Sequence, residues 1–174
     1  MKLRVATLDD LATVMAVVAE GRRAQRLQGF VQWGEGYPDE AVICSDLGCG
    51  AARVLVCGDA VAGYAALIAD DAGYAGLDDI WHHGGRYAVV HRLAVADGYR
   101  GKGFGRLFFG LLEAEALGMG IDVMRVDTGS ENAVMQHLLD GLGYRNAGVQ
   151  QFPWGARLAY EKLLARRGGR DLSE

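Results

Sequence analysis

The run YAVVHRLAV, residues 87–95, passes through ADGYRGKG directly into a segment of helical period, FGRLFFGLLEAEALG. The first is strand-like in its β-branched content. In the second, Leu107, Phe108, Leu111 and Leu112 recur three and four apart, which marks one face of a helix. Gly98, Gly101, Gly103 and Gly105 crowd the junction. A strand that turns into a helix through such a loop restricts the chain to folds mixing both element types. It also leaves several backbone N–H groups unpaired and aimed one way, beside the positive end of a helix. That arrangement suits a phosphate or pyrophosphate, with Arg100 and Lys102 adding charge at the rim. The alternative is a tight turn that needs glycine dihedrals and binds nothing.

Two other phosphate-binding patterns fit poorly. A P-loop requires GxxxxGK[ST], whereas Lys102 is followed by Gly103. A GxGxxG fingerprint belongs after the first strand of a βαβ unit, with an acidic residue about 20 positions on. GKGFGRLF has too few correctly spaced glycines and lies in the middle of the chain.

The remaining elements follow from period and turn chemistry. Lys2 to Ala6 is a strand candidate, and TLDD reads as a helix start with Thr7 as cap and Asp10 three residues on. Leu8, Leu11, Val14, Met15 and Val18 give that helix an apolar face, and it continues through GRRAQRLQG towards Gln28. Asp39 to Leu47 is a second helix. AARVLVCG and AVAGYAALIA form a hairpin about Gly58 and Asp59. GYAGLDDIWHHGGR is a loop with a short turn inside. IDVMRVDT is a strand, and ENAVMQHLLDGLG is a helix opened by Thr128 with Glu131 as its capping partner. YRNAGVQ is a strand, while ARLAYEKLL fits a strand or a helix. This order implies a mixed sheet with helices on both faces.

At 174 residues the chain fits one domain, expected over 1–165, with a frayed Gly/Arg tail at 166–174. The net charge of -4 argues against general nucleic-acid binding. No apolar run approaches the ~20 residues that cross a bilayer, and MKLRVATLDD turns acidic too early for a signal peptide. Cys44, Cys49 and Cys57 lack paired CxxC spacing, which fits reduced thiols in a cytoplasmic protein and no metal site.

HRLAVADGYRGKGFGRLFFGLLEAEA resembles the acyl-CoA-binding motif of the GCN5-related N-acetyltransferase (GNAT) superfamily. That motif is an apolar strand, then Gln/Arg-x-x-Gly-x-Gly/Ala, then a helix, and it falls here on Arg100, Gly103 and Gly105. IDVMRVDTGSENAVMQHLLDGLGY is similar to the family's next strand and helix with their closing Gly-Phe/Tyr, and the opening strand and TLDDL helix match its usual start. The resemblance covers nearly the whole chain. It is strongest to a bacterial subgroup with QW..GYP and DT...N..MQHLL..LG(F/Y), for which it supplies no substrate. It implies an α/β (mixed α+β) GNAT fold, with a central, mostly antiparallel twisted sheet of about seven strands and helices on both faces. It also implies acetyl-CoA (coenzyme A) as cofactor.

In that superfamily the strand before the loop splays from its neighbour, and the pantetheine arm binds its exposed backbone. The resemblance places those contacts on Leu93, Ala94 and Val95, and the pyrophosphate over the amides of Arg100, Gly101, Lys102, Gly103, Phe104 and Gly105. It puts Asn132 on the pantetheine or adenosine side; the alternative is a helix-start asparagine binding nearby backbone. Gln136 and Leu139 share Asn132's helix face at offsets of four and seven. Gln136 is a possible cofactor contact or a surface group. At the Leu139 position many family members carry a tyrosine that protonates the leaving thiolate. A thiol of reference pKa about 8.5 leaves tolerably without that help. Tyr144 reads as a core aromatic.

For the acceptor side, period-two alternation puts Val89, His91, Leu93 and Val95 on one strand face and Arg92 on the other, towards a carboxylate. His91 is the candidate catalytic base, accepting an amine proton directly or through water; otherwise it is a core histidine. His82 and His83 either border the acceptor pocket or form an exposed loop pair, and Asp78 and Asp79 are solvated or capping groups. Trp33 and Tyr37 in QGFVQWGEGYPDE either wall a pocket or anchor their loop, with Trp154 of FPWGAR at the same rim. The function expected is acetyl transfer from acetyl-CoA to a primary amine of a small molecule or a peptide/protein. The competing expectation is an acyl-CoA-binding module with reduced or no catalysis, motivated by Leu139 and the lack of a carboxylate on the cofactor strand. A cytoplasmic homodimer without nucleic-acid or membrane partners completes the reading.

Overall fold

The computed structural model describes residues 1–30 and 32–165, and the expected frayed tail at 166–174 lies outside them. Strands β1 (Lys2–Val5), β2 (Ala52–Cys57), β3 (Ala60–Ala69), β4 (Tyr87–Val95), β5 (Val123–Thr128), β6 (Arg145–Phe152) and β7 (Gly155–Leu163) form one sheet, ordered β1-β2-β3-β4-β5-β7-β6. Only β4 and β5 run parallel. On one face, Ala88, Val90, Met124, Val126 and Tyr160 pack against Phe108, Phe109 and Leu112 of helix α3 (Phe104–Gly118) and Leu139 of α4 (Ala133–Gly141). On the other, Val54, Val56, Tyr64 and Ala94 meet Val14, Val17 and Val18 of α1 (Leu11–Leu27) and Ile43 of α2 (Glu40–Gly48). Each fully buried Val, Ile, Leu, Met or Phe among them contributes about 1.5–3 kcal/mol. The layered, mostly antiparallel architecture matches the expected one, and ARLAYEKLL is strand. No helix among the described residues is long and apolar enough to cross a membrane.

The opening helix starts through a turn of 3-10 helix, Leu8–Asp10. Asp10 accepts from the Thr7 N–H at 2.8 Å and from two Arg4 nitrogens at 2.7 Å. The Arg4 hydrogen bonds hold its carboxyl down at about 2, against the opposing effect of burial. The folded value lies below the unfolded one, so this contact stabilises fully above pH ~4 and is lost as pH falls from there towards 2. Urea midpoints measured across that window should fall less steeply for Asp10→Asn than for the parent protein; parallel curves would contradict it.

Two local expectations are corrected. The helix cap is Asn132, whose side chain accepts from the Met135 N–H at 3.0 Å, not Thr128. Thr128 is committed to the sheet opposite Leu158. The second correction is in β4. Its register against β3 slips between Tyr64↔Ala94 and Ala66↔His91, and Arg92 sits at φ +54. This bulge resets the alternation. Leu93 joins the α3/α4 core, whereas His91 and Arg92 line one cavity on the opposite face. Arg92 does reach a carboxylate, but from the same side as His91.

Candidate active site

β4 pairs with β5 only through residues 87–89. Beyond that point β5 stays with β7 and β4 stays with β3, so the two parallel strands part. The β4 main chain then has a hydrogen-bonding edge with no strand on the β5 side. A 3-10 turn, Asp97–Tyr99, leads to Gly101 at φ +75 and Gly103 at φ +83, where α3 begins. The amides of Gly101, Lys102 and Gly103 have no acceptor among the described residues. Those of Phe104, Gly105 and Arg106 belong to the first helical turn, whose N–H groups have no partner within the helix.

A groove of about 530 Å³ runs along this edge, lined by Leu93, Ala94, Val95, Arg100, Gly101, Gly103, Gly105 and Asn132 together with α1 and α4. Lys102 and Phe104 do not line it with their side chains. Lys102 folds back to the Gly98 carbonyl at 2.8 Å, and Phe104 packs on Tyr99 at 4.8 Å between ring centres. Arg100 bonds to the Val95 carbonyl at 3.0 Å and pairs with Asp97. Gln136 is not brought to the groove either, because its amide closes the preceding turn on the Gly129 and Ser130 carbonyls. Leu139 is fully buried in the core. The groove face of α4 is instead Asn132, Met135 and Leu138, with Val134 and His137.

A second chamber of about 410 Å³ opens on the α1/α2 side of the sheet. Trp33, Tyr37 and Trp154 supply its aromatic walls, and Asp71, His91, Arg92, Asp127 and Arg157 its charged or titratable groups. A narrow space of about 40 Å³ lies between groove and chamber, sharing Trp33, Leu93 and Asn132 with the first and Trp33, Val90, Arg92 and Asp127 with the second.

His91 Nε2 is 2.7 Å from Asp71, whose other oxygen accepts from the Gly73 N–H at 2.7 Å. Burial pushes the Asp71 carboxyl up, but the hydrogen bonds from His91 and Gly73 outweigh it and hold the group below its usual range. An ionised carboxylate only accepts, so Nε2 carries the proton, and Nδ1 of the neutral ring is the acceptor. The imidazole stands edge-on to Tyr74 and Trp154 at 5.9 and 5.6 Å. A Cβ at Gly73 would lie 2.5 Å from the Trp154 ring, so only glycine lets that ring close against the turn. Tyr74 donates to Asp127 at 2.7 Å, and Trp154 Nε1 donates to the same carboxylate at 3.1 Å. Burial and the nearby Asp127 push the Tyr74 phenol well up, so it remains a donor.

The acetyltransferase (GNAT) family model matches residues 30–144. The chain belongs to that family. A GNAT family acetyltransferase from Streptococcus agalactiae is 32% identical, with a TM-score of 0.84 over 95% of this chain and 96% of that one. A Listeria monocytogenes GNAT family acetyltransferase, 18% identical, aligns with a TM-score of 0.75 over 94% of each chain. The yncA protein of Salmonella typhimurium, solved with its cofactor acetyl-CoA, shares the fold at 18% identity and a TM-score of 0.67, over 99% of each chain. No curated protein matches.

In this GNAT protein the expected acceptor residues divide. Trp33 is both a buried anchor and a wall, Tyr37 is an exposed wall, and His91 and Trp154 line the chamber. His82 and His83 do not reach it. Their loop is held elsewhere by main chain: the His82 N–H donates to Glu161 at 2.9 Å, and the His83 carbonyl accepts from Arg125 at 3.0 Å. Arg125 in turn lies over the Trp81 and Tyr87 rings at 4.3 and 4.0 Å. Sequence reasoning missed Asp71, Asp127 and Arg157. The signals were an Asp before Ala-Gly, which favours an Asx turn, and charged residues on the alternate face of apolar strands.

Proposed function

We propose that this GNAT protein acetylates the primary amine of a small molecule, using acetyl-CoA. The observation that carries the proposal is the pair of spaces joined where β4 and β5 part. One side has unanswered backbone donors, and the other has a histidine fixed by a carboxylate. The amides of residues 101–105 and the positive end of α3 fit a pyrophosphate. The free edge of β4 at residues 93–95 and Asn132 fit the pantetheine arm. As substrate, acetyl-CoA supplies the acetyl group: its C–S bond breaks as the amine C–N bond forms, and the thiolate leaves with the bonding pair. His91 Nδ1 takes the amine proton, Asp71 stabilises the resulting imidazolium, and the ring returns the proton to solvent. Main-chain donors on the β4 edge polarise the carbonyl undergoing attack.

The binding-module alternative drew on Leu139 and on the absence of a carboxylate from the cofactor strand. Leu139 is a core residue here, and Asp71 brings a carboxylate to that strand's histidine. Calorimetry with acetyl-CoA and thiol release over a panel of amines test the proposal. Cofactor binding without amine-dependent thiol release would favour the module, and no binding at millimolar cofactor would sink both.

Gly103→Val should weaken acetyl-CoA binding about tenfold or more while the protein stays folded. A Cβ there meets nothing within 4 Å, so the cost is backbone strain at φ +83, on the order of 1–3 kcal/mol. Relieving it turns the loop amides away. Unchanged affinity in a variant with native circular dichroism would remove Gly103 from the binding loop.

A further inference from the structure

The chamber's hydrogen-bond balance is one-sided. Its carboxylates are already answered: Asp71 by His91 and the Gly73 N–H, and Asp127 by Tyr74 and Trp154. Among the cations, Arg92 gives two nitrogens to Asp46, at 2.6 and 2.8 Å. Arg157 differs. Its Nη1 donates only to the adjacent Ala156 carbonyl at 2.9 Å. Its Nε is buried without a hydrogen-bond partner; it is ion-paired with Asp127, but at 3.9 Å, too far for a hydrogen bond. Its Nη2 donates to nothing among the described residues. Gln32 adds to the surplus, because its oxygen accepts from Thr128 and Gly129 while its NH₂ finds no acceptor among the described residues. A buried donor left unanswered is costly, and a guanidinium fork answers a carboxylate best.

We infer that the amine acceptor is an amino carboxylate, a small molecule bearing a carboxylate near the amine, and that Arg157 is the residue that binds this carboxylate. The inference rests on the acetyl-transfer reading for the fate of the amine, but the carboxylate site stands on the geometry of the chamber alone. A polyamine fits less well, since its second ammonium would share the chamber with the Arg92 and Arg157 guanidiniums. The volume of about 410 Å³ lies in the range of small-molecule sites, and Trp33, Tyr37 and Trp154 provide apolar surface for the rest of the ligand.

The test pairs free amino acids with their decarboxylated amines, in two readouts. In the first, each is titrated by calorimetry into the protein without acetyl-CoA. In the second, each serves as acceptor in the thiol-release assay. The amino acids should bind and turn over in preference to the amines. Arg157→Gln should raise their Kd and KM on the order of 10- to 100-fold, more than it lowers kcat, and Arg157→Lys should recover part of the loss. Acetyl-CoA affinity and circular dichroism confirm that each variant is folded. Decarboxylated amines used equally well, or an amino-acid KM unmoved by Arg157→Gln, would overturn the inference and leave acetyl transfer standing. Arg157-dependent binding of amino acids with no thiol release would do the reverse. Neither binding nor turnover of amino acids would also overturn it.

Discussion

Replacing His91 with alanine should lower amine-dependent acetyl transfer by about 10²–10⁴-fold, the contribution of a positioned general base. The loss should fall on turnover, because His91 lines the amine chamber and not the groove beside the glycine loop. Asp71→Asn refines the test. The amide keeps the shape of the carboxylate, yet its NH₂ can donate to Nε2, which sends the ring proton to Nδ1 and removes the acceptor. Turnover should therefore fall about tenfold or more, with acetyl-CoA affinity retained. The pH dependence follows the same logic. Asp71 is held below the usual carboxylate range, so it stays charged through neutral pH and down to where ordinary carboxylates protonate. Through that range the carboxylate adds no acid limb of its own to the wild-type profile. His91→Ala should change the shape of the profile as well as its height. A variant that keeps both its rate and its profile would place the base elsewhere.

The sequence made the strand–loop–helix unit legible because each part has a local cause: β-branched residues, glycines able to take positive φ, and a helical apolar stripe. The same holds for the β2–β3 hairpin about Gly58 and Asp59 and for the helix start at Thr7 and Asp10. It did not make the bulge in β4 legible. Arg92 adopts φ +54 where its guanidinium is held by Asp46, far away in sequence, and no period within YAVVHRLAV records that contact. One extra residue was enough to part His91 from Leu93 and bring Arg92 round to the histidine's side. The acceptor chamber was partly legible for a related reason. Large rings such as Trp33 and Trp154 announce themselves, whereas Asp71 becomes a partner of His91 only after the sheet brings the end of β3 beside β4. His82 and His83 show the converse: chemically suggestive side chains on a loop whose main chain is tied to Arg125 and Glu161.

The largest stability loss is expected at Asp46. This α2 carboxylate, 4% exposed, takes two hydrogen bonds from Arg92 and one from the fully buried Tyr64 hydroxyl. Burial opposes the Arg92 charge, but Asp46 more than offsets it and raises the guanidinium above its ordinary value. Burial, followed by Asp46, likewise pushes the Tyr64 phenol up. Asp46→Ala would strand a buried cation and a buried hydroxyl together, a change that costs about 3–5 kcal/mol. Against a typical stability of about 5–15 kcal/mol, the melting temperature should drop by roughly 6–20 °C, at about 2–4 °C per kcal/mol for a chain this long. The double variant Asp46→Leu/Arg92→Met should be more stable than Asp46→Ala, because it removes the unpaired charge along with its partner. Urea melts of the parent and both variants decide this. A loss below about 1 kcal/mol for Asp46→Ala would mean that water reaches Arg92 and the pair is not structural. The double variant also separates stability from function. It keeps a packed junction but removes the ion pair made at the bulge beside His91, so its stability should recover further than its turnover. Recovery of both together would show that shape at position 92, without the charge, is enough to hold His91 against Asp71.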